Sequence, residues 1–555
     1  MPEVVRIPPM PESPLSFPAR VRANDGVLLA TDVYLPGAPD SADETPGDTV
    51  LIRLPYDKSG VYCFIPLIAE YFTQHGYRVV AQDVRGKFRS GGDALLFVNE
   101  VDDGHATIEW IVQQPWSNGR VAMWGDSYYG YTQWAAAASG HPALKAISPR
   151  VTGTTLGEPV RRDSSDRTRR VEWGVTYMYP LTQFFDNDMV LWEPDWSRRD
   201  FAAQAEEFIA QVGYRGLSYD QWYPRPVHLP RFPEGDPFAG RSVPVLHTIG
   251  WWDNCAPLSW ADVERLKARP NWDAHHYLRI EPMDHEAFEL LDADEDRVWD
   301  RSEAQIRALL PRTLDPTLAF FEVFVRGNGS PADVPRVAWN LGGTTEMRES
   351  TSWPPAGTRT VELFATAAGE LSSARPHDEA TLRWVHDPAD LVPSSVPDAF
   401  SYLLHKPDEA PIGDRDDVLR FESAPAAADV DLAGPVRARA RVTSDGPVMD
   451  LFARMLDVAP DGTALRIARG QLQLLDAGRP ETLDVDLGHI GYRLRAGHRL
   501  RVHVSSSDYP EFLPQTGTGA DPWTWGETRA NTQSLVIGGG DAFSLTLTVL
   551  EGDLS

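Results

Sequence analysis

The stretch Val121–Gly130, VAMWGDSYYG, constrains this chain more than any other. A short apolar run stops at Gly125-Asp126-Ser127-Tyr128-Tyr129-Gly130, and an Ala-rich helical pattern follows from Tyr131 to Ser139. The pattern predicts strand, tight turn and helix, with Ser127 at the turn. Such a turn strains the serine backbone and brings strand and helix close together, so small neighbours are needed; Gly125 and Gly130 supply the room. The helix N-terminus beside the serine favours negative charge on a reacting oxygen. Ser127 is therefore a candidate nucleophile, although Tyr129 stands where the general G-x-S-x-G pattern has its second glycine.

Around this unit, residues 20–151 alternate β-branched runs with amphipathic helical patterns: strands at Val27–Tyr34, Thr49–Leu54, Arg78–Asp83, Gly119–Trp124 and Leu144–Ser148, helices at Ile65–His75 and Asp102–Gln114. That alternation predicts a mainly parallel sheet covered on both faces. From 152 to 241 the strand runs vanish and aromatics crowd helical stretches, among them Trp173, Tyr177, Tyr179 and Trp192, with a clear helix at Phe201–Val212. This block reads as a helical cap over the strand ends, where open α/β sheets place their ligands. Strand–helix alternation returns over 242–316, in VPVLHTIG and HHYLRI. Residues 317–555 carry short strands, from Val337–Asn340 to Leu500–Ser505, separated by Gly, Pro and Asp, and are expected to form an all-β domain of jelly-roll type. The Pro-rich start reads as a loosely ordered arm.

A serine hydroxyl needs a base and a group that orients the base. In α/β-hydrolases these follow in the order Ser, Asp or Glu, His, each at a strand end. Asp253, after VPVLHTIG, and His285, after YLRIEP, meet that order; the remaining histidines precede any suitable acid, lie within helices or strands, or fall in the β domain. The oxyanion needs donors too. The backbone N–H of Tyr128 is one, and with no HGGG-type run the Tyr56 hydroxyl, in Leu54-Pro55-Tyr56-Asp57-Lys58, is the side-chain candidate for the second.

Composition narrows the function. The net charge of −28 repels nucleic acid and anionic membranes, so neither is an expected partner. Two cysteines, Cys63 and Cys255, give no disulfide framework. The N-terminus lacks a secretory h-region and no run reaches the roughly 18 apolar residues of a membrane span, so a cytoplasmic location is expected. No His/Cys cluster stands at metal-ligand spacing, and no metal or cofactor is expected.

RLPYDKSG, VVAQDVRGKFRSGG, EVDDGHATIEWIVQQPWSNGRVAMWGDSYYGYTQ, GWWDN, EPMDH and DRDDVLRFESAP together resemble the cocaine esterase/X-Pro dipeptidyl-peptidase family of α/β-hydrolases, over nearly the whole chain after residue 20. That family's turn reads G-x-S-Y-x-G, which accommodates Tyr129. The resemblance implies an α/β-hydrolase core with inserted helical cap and C-terminal jelly roll. It implies Ser127 as nucleophile, His285 as base, Asp253 as orienter, and Tyr56 with the Tyr128 amide as oxyanion hole. Two departures stand out. Met283-Asp284 precede His285 where relatives commonly carry Trp and a small residue, which alters packing near the His loop. Asn254-Cys255 replace a Gly-aromatic pair of the esterase members, which implies a smaller acyl-pocket wall.

The expected reaction is hydrolysis of a small-molecule ester or amide through an acyl-enzyme, by a chain that is free to form a homo-oligomer. Trp173, Tyr177, Trp192, Trp251, Trp252 and Cys255 are the candidate walls of an apolar or aromatic acyl pocket, which favours a carboxylesterase. The alternative is an X-Pro dipeptidyl-peptidase or amino-acid ester hydrolase; a free amine would need rim carboxylates, for which Asp186, Asp188, Glu286 and Asp292 are candidates. Readings of another class make the chain a non-catalytic relative, or its β domain a carbohydrate-binding module stacking sugars on Trp384, Trp523 and Trp525.

Overall fold

In the computed structural model, the structure describes residues 5–6, 10, 16–38, 41–42, 45–158, 166–182, 188–224, 226–286, 302–395 and 408–554. Most of the Pro-rich start, and Asp186 and Asp292, lie outside them. The first-half strands are β1 (Ser16–Arg22), β2 (Leu28–Tyr34), β3 (Gly47–Leu54), β4 (Arg78–Asp83), β5 (Ser117–Asp126), β6 (Leu144–Arg150), β7 (Val245–Gly250), β8 (His276–Glu281), β9 (Val337–Asn340) and β10 (Met347–Ser350). They pair into one ten-stranded sheet in the order β10-β9-β8-β7-β6-β5-β3-β4-β2-β1. Pairing is parallel from β4 through β9 and antiparallel at both edges.

The longer helices between them are α1 (Ile65–Gln74), α2 (Glu100–Val112), α3 (Ser127–Ala138), α4 (Phe201–Val212), α5 (Ala256–Lys267) and α6 (Glu303–Phe321). Strand β3 explains the layering. Val50, Ile52 and Leu54 join the apolar cluster that holds Phe72 of α1 and Leu314 of α6, while Leu51 joins the one that holds Ile108 of α2 and Leu266 of α5. Because both faces are covered, the strand reads as a continuous apolar run rather than an alternating one.

The sheet continues past the expected boundary at residue 316. Val337–Asn340 does not open the β domain; it lies parallel to β8, and β10 closes the sheet edge beside it. A four-residue apolar run carries no mark of which sheet it joins, and α6, which makes the crossover, ends only at Phe321. The second half, from Arg359 to Glu551, is a largely antiparallel β structure of jelly-roll type around its own core. Its long strands include Val430–Ser444, paired with Glu481–Leu494, and Val448–Val458, paired with Ala464–Leu475. Between the two halves sits the cap, which is tied to the β domain by Thr168–Arg169 pairing with Ala464–Leu475. Among the described residues no helix is long and apolar enough to cross a membrane.

Candidate active site

Three strand ends converge. At the end of β5 the backbone turns directly into α3, and Ser127 adopts a left-handed φ of 50°, costly for a residue with a side chain. Gly125 makes the turn possible: its φ is 154°, and a Cβ there would lie 2.1 Å from the Tyr129 ring. A Cβ on Gly130 would press on Thr152 at 2.7 Å. Asp253 follows β7 and is held by its own N–H to the Gly250 carbonyl, at 3.3 Å. His285 follows β8. Its loop rests against the Asp253 loop where the Trp252 N–H donates to the Met283 carbonyl at 3.2 Å. A Cβ at Gly250 would stand 2.4 Å from that same carbonyl, so the approach of the two loops requires glycine there.

The three side chains form one hydrogen-bonded chain. His285 Nδ1 lies 2.7 Å from Asp253 Oδ1, and His285 Nε2 lies 2.9 Å from Ser127 Oγ. Asp253 Oδ1 also accepts the Cys255 N–H at 3.0 Å. Burial opposes charge on His285, but the Cys255 sulfur and the Asp253 carboxylate outweigh it and hold its pKa well above the ordinary value. Burial pushes the Cys255 thiol up, so at neutral pH the carboxylate is the negative partner that counts.

The Tyr56 loop follows β3 and is pinned from below. Buried Lys58 reaches Asp32 at 2.9 Å and Asp83 at 3.5 Å, and the Asp57 carboxylate accepts the Ser59 N–H at 3.0 Å. This fixes the Tyr56 hydroxyl beside Ser127, with the Tyr179 hydroxyl 2.5 Å away. Burial raises the Tyr56 pKa, so the phenol keeps its proton. The Tyr128 N–H is among the first of α3, whose donors have no partner within the helix; the Tyr128 hydroxyl is buried and donates to Glu100 at 2.8 Å.

Ser127 and His285 open into a cavity of about 280 Å³. Of the expected wall residues, Trp173 and Cys255 line it. Tyr177 and Trp192 do not: both are buried within the cap, Tyr177 stacked on Trp523 and Trp192 against Phe208, because a crowded aromatic block must first fill its own core. Trp251 and Trp252 also miss it and line a smaller cavity of about 100 Å³ against the β domain, and Trp251 donates to the carbonyl of Asn340 in β9 at 2.9 Å. The walls include Phe64, Leu156, Val175, Ile306 and Leu310, with Gln471 reaching in from the β domain.

Several polar residues at the cavity escaped the sequence reading. Asp126, beside the nucleophile, pairs with Arg150 at 2.8 Å; burial raises its pKa and Arg150 counters. Glu158, Glu172 and Arg170 also line the cavity, as does the expected Glu286. Asp188 does not line it. Tyr179 carried one signal, its place among the cap aromatics, but nothing marked its hydroxyl. Trp384 and Trp523 are buried, the first donating to Ser506 at 2.7 Å and the second to Tyr219 at 3.1 Å, so neither presents a face to a sugar.

The fold and site define an α/β-hydrolase whose serine, aspartate and histidine stand at the ends of β5, β7 and β8. Residues 25–287 match the family model for X-Pro dipeptidyl-peptidase (S15 family), and residues 328–544 match that for the X-Pro dipeptidyl-peptidase C-terminal non-catalytic domain. The cocaine esterase of Rhodococcus sp. (strain MB1 Bresler) is 29% identical over 557 residues, covering 90% of this chain and 92% of the relative. An aminopeptidase from a marine sediment Thaumarchaeota archaeon has a similar fold, with a TM-score of 0.76 at 20% identity over 98% of both chains. So does an α-amino acid ester hydrolase, at 0.75 and 22% over 98% of both. The chain belongs to the cocaine esterase/X-Pro dipeptidyl-peptidase family, and it is a serine hydrolase.

Proposed function

We propose that this protein hydrolyses carboxylic esters of small molecules with an apolar or aromatic acyl group, through an acyl-enzyme on Ser127. The observation that carries the reading is the pair of contacts at His285, 2.9 Å to Ser127 and 2.7 Å to Asp253, at the mouth of a cavity walled largely by apolar side chains. His285 takes the serine proton as Oγ attacks the ester carbonyl, while Asp253 holds the ring and stabilises the imidazolium. The Tyr56 hydroxyl and the Tyr128 N–H receive the tetrahedral oxyanion, and Tyr179 fixes the aim of the phenol. His285 then protonates the departing alcohol, and water repeats the sequence on the acyl-enzyme. Cytoplasmic residence fits Cys63 and Cys255, whose sulfurs are not joined in a disulfide.

A second reading rests on Glu158, Glu172 and Glu286, which line the same cavity with Arg170 and would favour a substrate with a free amine. This is the amino-acid ester or X-Pro peptide reading. Steady-state hydrolysis of an aryl benzoate, a phenylglycine methyl ester and a Gly-Pro anilide, each with a Ser127→Ala control, separates the two. Ser127-dependent turnover that is fastest on the benzoate supports the esterase; preference for the amino ester or the anilide overturns it in favour of the amine-binding class.

A further inference from the structure

Cys255 is buried beside the site and lines the same cavity as Ser127. A carboxylate oxygen of Asp253, the sulfur of Cys255 and a ring nitrogen of His285 all lie within 4.8 Å of one another. Sulfur, nitrogen and oxygen donors gathered in this way are the set that zinc and cadmium prefer. Ligands at ordinary zinc bond lengths stand about 3.5 Å apart, so small side-chain movements would close the set around one ion. A second observation points the same way. Asp253 Oδ1 is fully used by the Cys255 N–H and His285, but Asp253 Oδ2 is buried with no hydrogen-bond partner among the described residues. An unmatched carboxylate oxygen in a protein interior is costly, and a cation would satisfy it. The adjoining cavity leaves space for a water as the fourth ligand.

We propose that Asp253, Cys255 and His285 form a binding site for one thiophilic divalent cation, Zn²⁺ or Cd²⁺, and that its occupancy switches the hydrolase off. On binding, the Cys255 S–H bond gives its proton to solvent and a sulfur–metal bond forms; nothing is oxidised or reduced. Metal on Nε2 of His285 occupies the lone pair that would take the serine proton. Metal on Nδ1 breaks the bond by which Asp253 orients the ring. Either arrangement stops the reaction. Binding stands on the donor set alone, while the inhibition rests on the hydrolase reading.

The test titrates the full-length protein with Cd²⁺ in the absence of added thiols, following the near-ultraviolet cadmium–thiolate absorption and aryl benzoate hydrolysis in parallel. The expected result is one cadmium per chain, an absorption that rises as activity falls, and reversal of both by EDTA. Cys255→Ser should lose the absorption. The concentration that halves its own activity should rise by more than the roughly 10- to 100-fold typical for loss of an outer-shell partner. Cys63→Ser, which removes the other thiol of the cavity, should keep both responses. Absorption that survives in Cys255→Ser, that disappears in Cys63→Ser, or that never saturates in the wild type overturns the proposal. Cys255→Ala serves if the serine variant does not fold. Should the wild type hydrolyse no ester, the absorption still decides the metal site, so its failure and that of the esterase reading remain distinct.

Discussion

In the proposed mechanism the Tyr56 hydroxyl has two duties, a hydrogen bond with the Tyr179 hydroxyl and donation to the developing oxyanion. Tyr56→Phe should therefore lower kcat by roughly 100- to 1,000-fold with little change in KM, the cost of one oxyanion donor. Tyr179→Phe should lose less, because the donor remains and only its aim is relaxed. Steady-state kinetics on one aryl ester checks both. His285 sets the pH profile. Burial works against its charged form, Cys255 and Asp253 work for it, and the balance lies well above the ordinary 6.5. Only the neutral ring accepts the serine proton, so activity is lost as pH falls through this raised pKa, and the acid limb of kcat/KM should lie above pH 6.5. Asp253→Asn should move that limb downward and lower kcat by roughly 10,000-fold.

Among the elements, β7 and β8 matter through their ends and their middles. At the end of β7, Gly250→Ala would place a methyl group 2.4 Å from the Met283 carbonyl and push the His285 loop away. The expected outcome is a large fall in kcat with an unchanged far-ultraviolet spectrum. In the middle, His247 of β7 and His276 of β8 lie 3.3 Å apart in the sheet interior. Burial depresses both, His247 to about 3. Their folded-state pKa values lie below the unfolded one, so their contribution is present above pH 6.5 and is lost as pH falls toward 3. His247→Asn should give a shallower fall of Tm over that window, read by calorimetry. The elements around the site were legible because each strand end carries its own signal: small residues around Ser127, and an acid and a histidine just past apolar runs. Wall residues were not, because Tyr177, Trp192, Trp251 and Trp252 are indistinguishable in sequence from Trp173, and only packing sends four inward or sideways and one to the cavity. Strand Val337–Asn340, next to the edge strand β10, carries no mark of its sheet for a similar reason, since its partner is chosen by α6 and not by its own residues.

The whole molecule works as a core, a cap and a β domain closed on one another. Trp523 of the β domain is fully buried between Tyr177 and Phe201 of the cap, with ring separations of 4.6 and 5.7 Å. Trp523→Ala should cost about 3–5 kcal/mol in a denaturant melt and raise KM, since Gln471 and the cap together shape the cavity. Domain composition was readable from the alternation of strands and helices, but the mutual support of cap and β domain was not, because it depends on contacts 300 residues apart, such as Trp523 with Tyr219. Covalent catalysis by Ser127 is tested most directly by intact-protein mass spectrometry of a reaction with an aryl benzoate quenched in acid within the first turnovers. One benzoyl group per chain is expected, mapping to the peptide that holds Ser127 and absent from Ser127→Ala. An adduct on another residue, or undiminished turnover by Ser127→Ala, would contradict it.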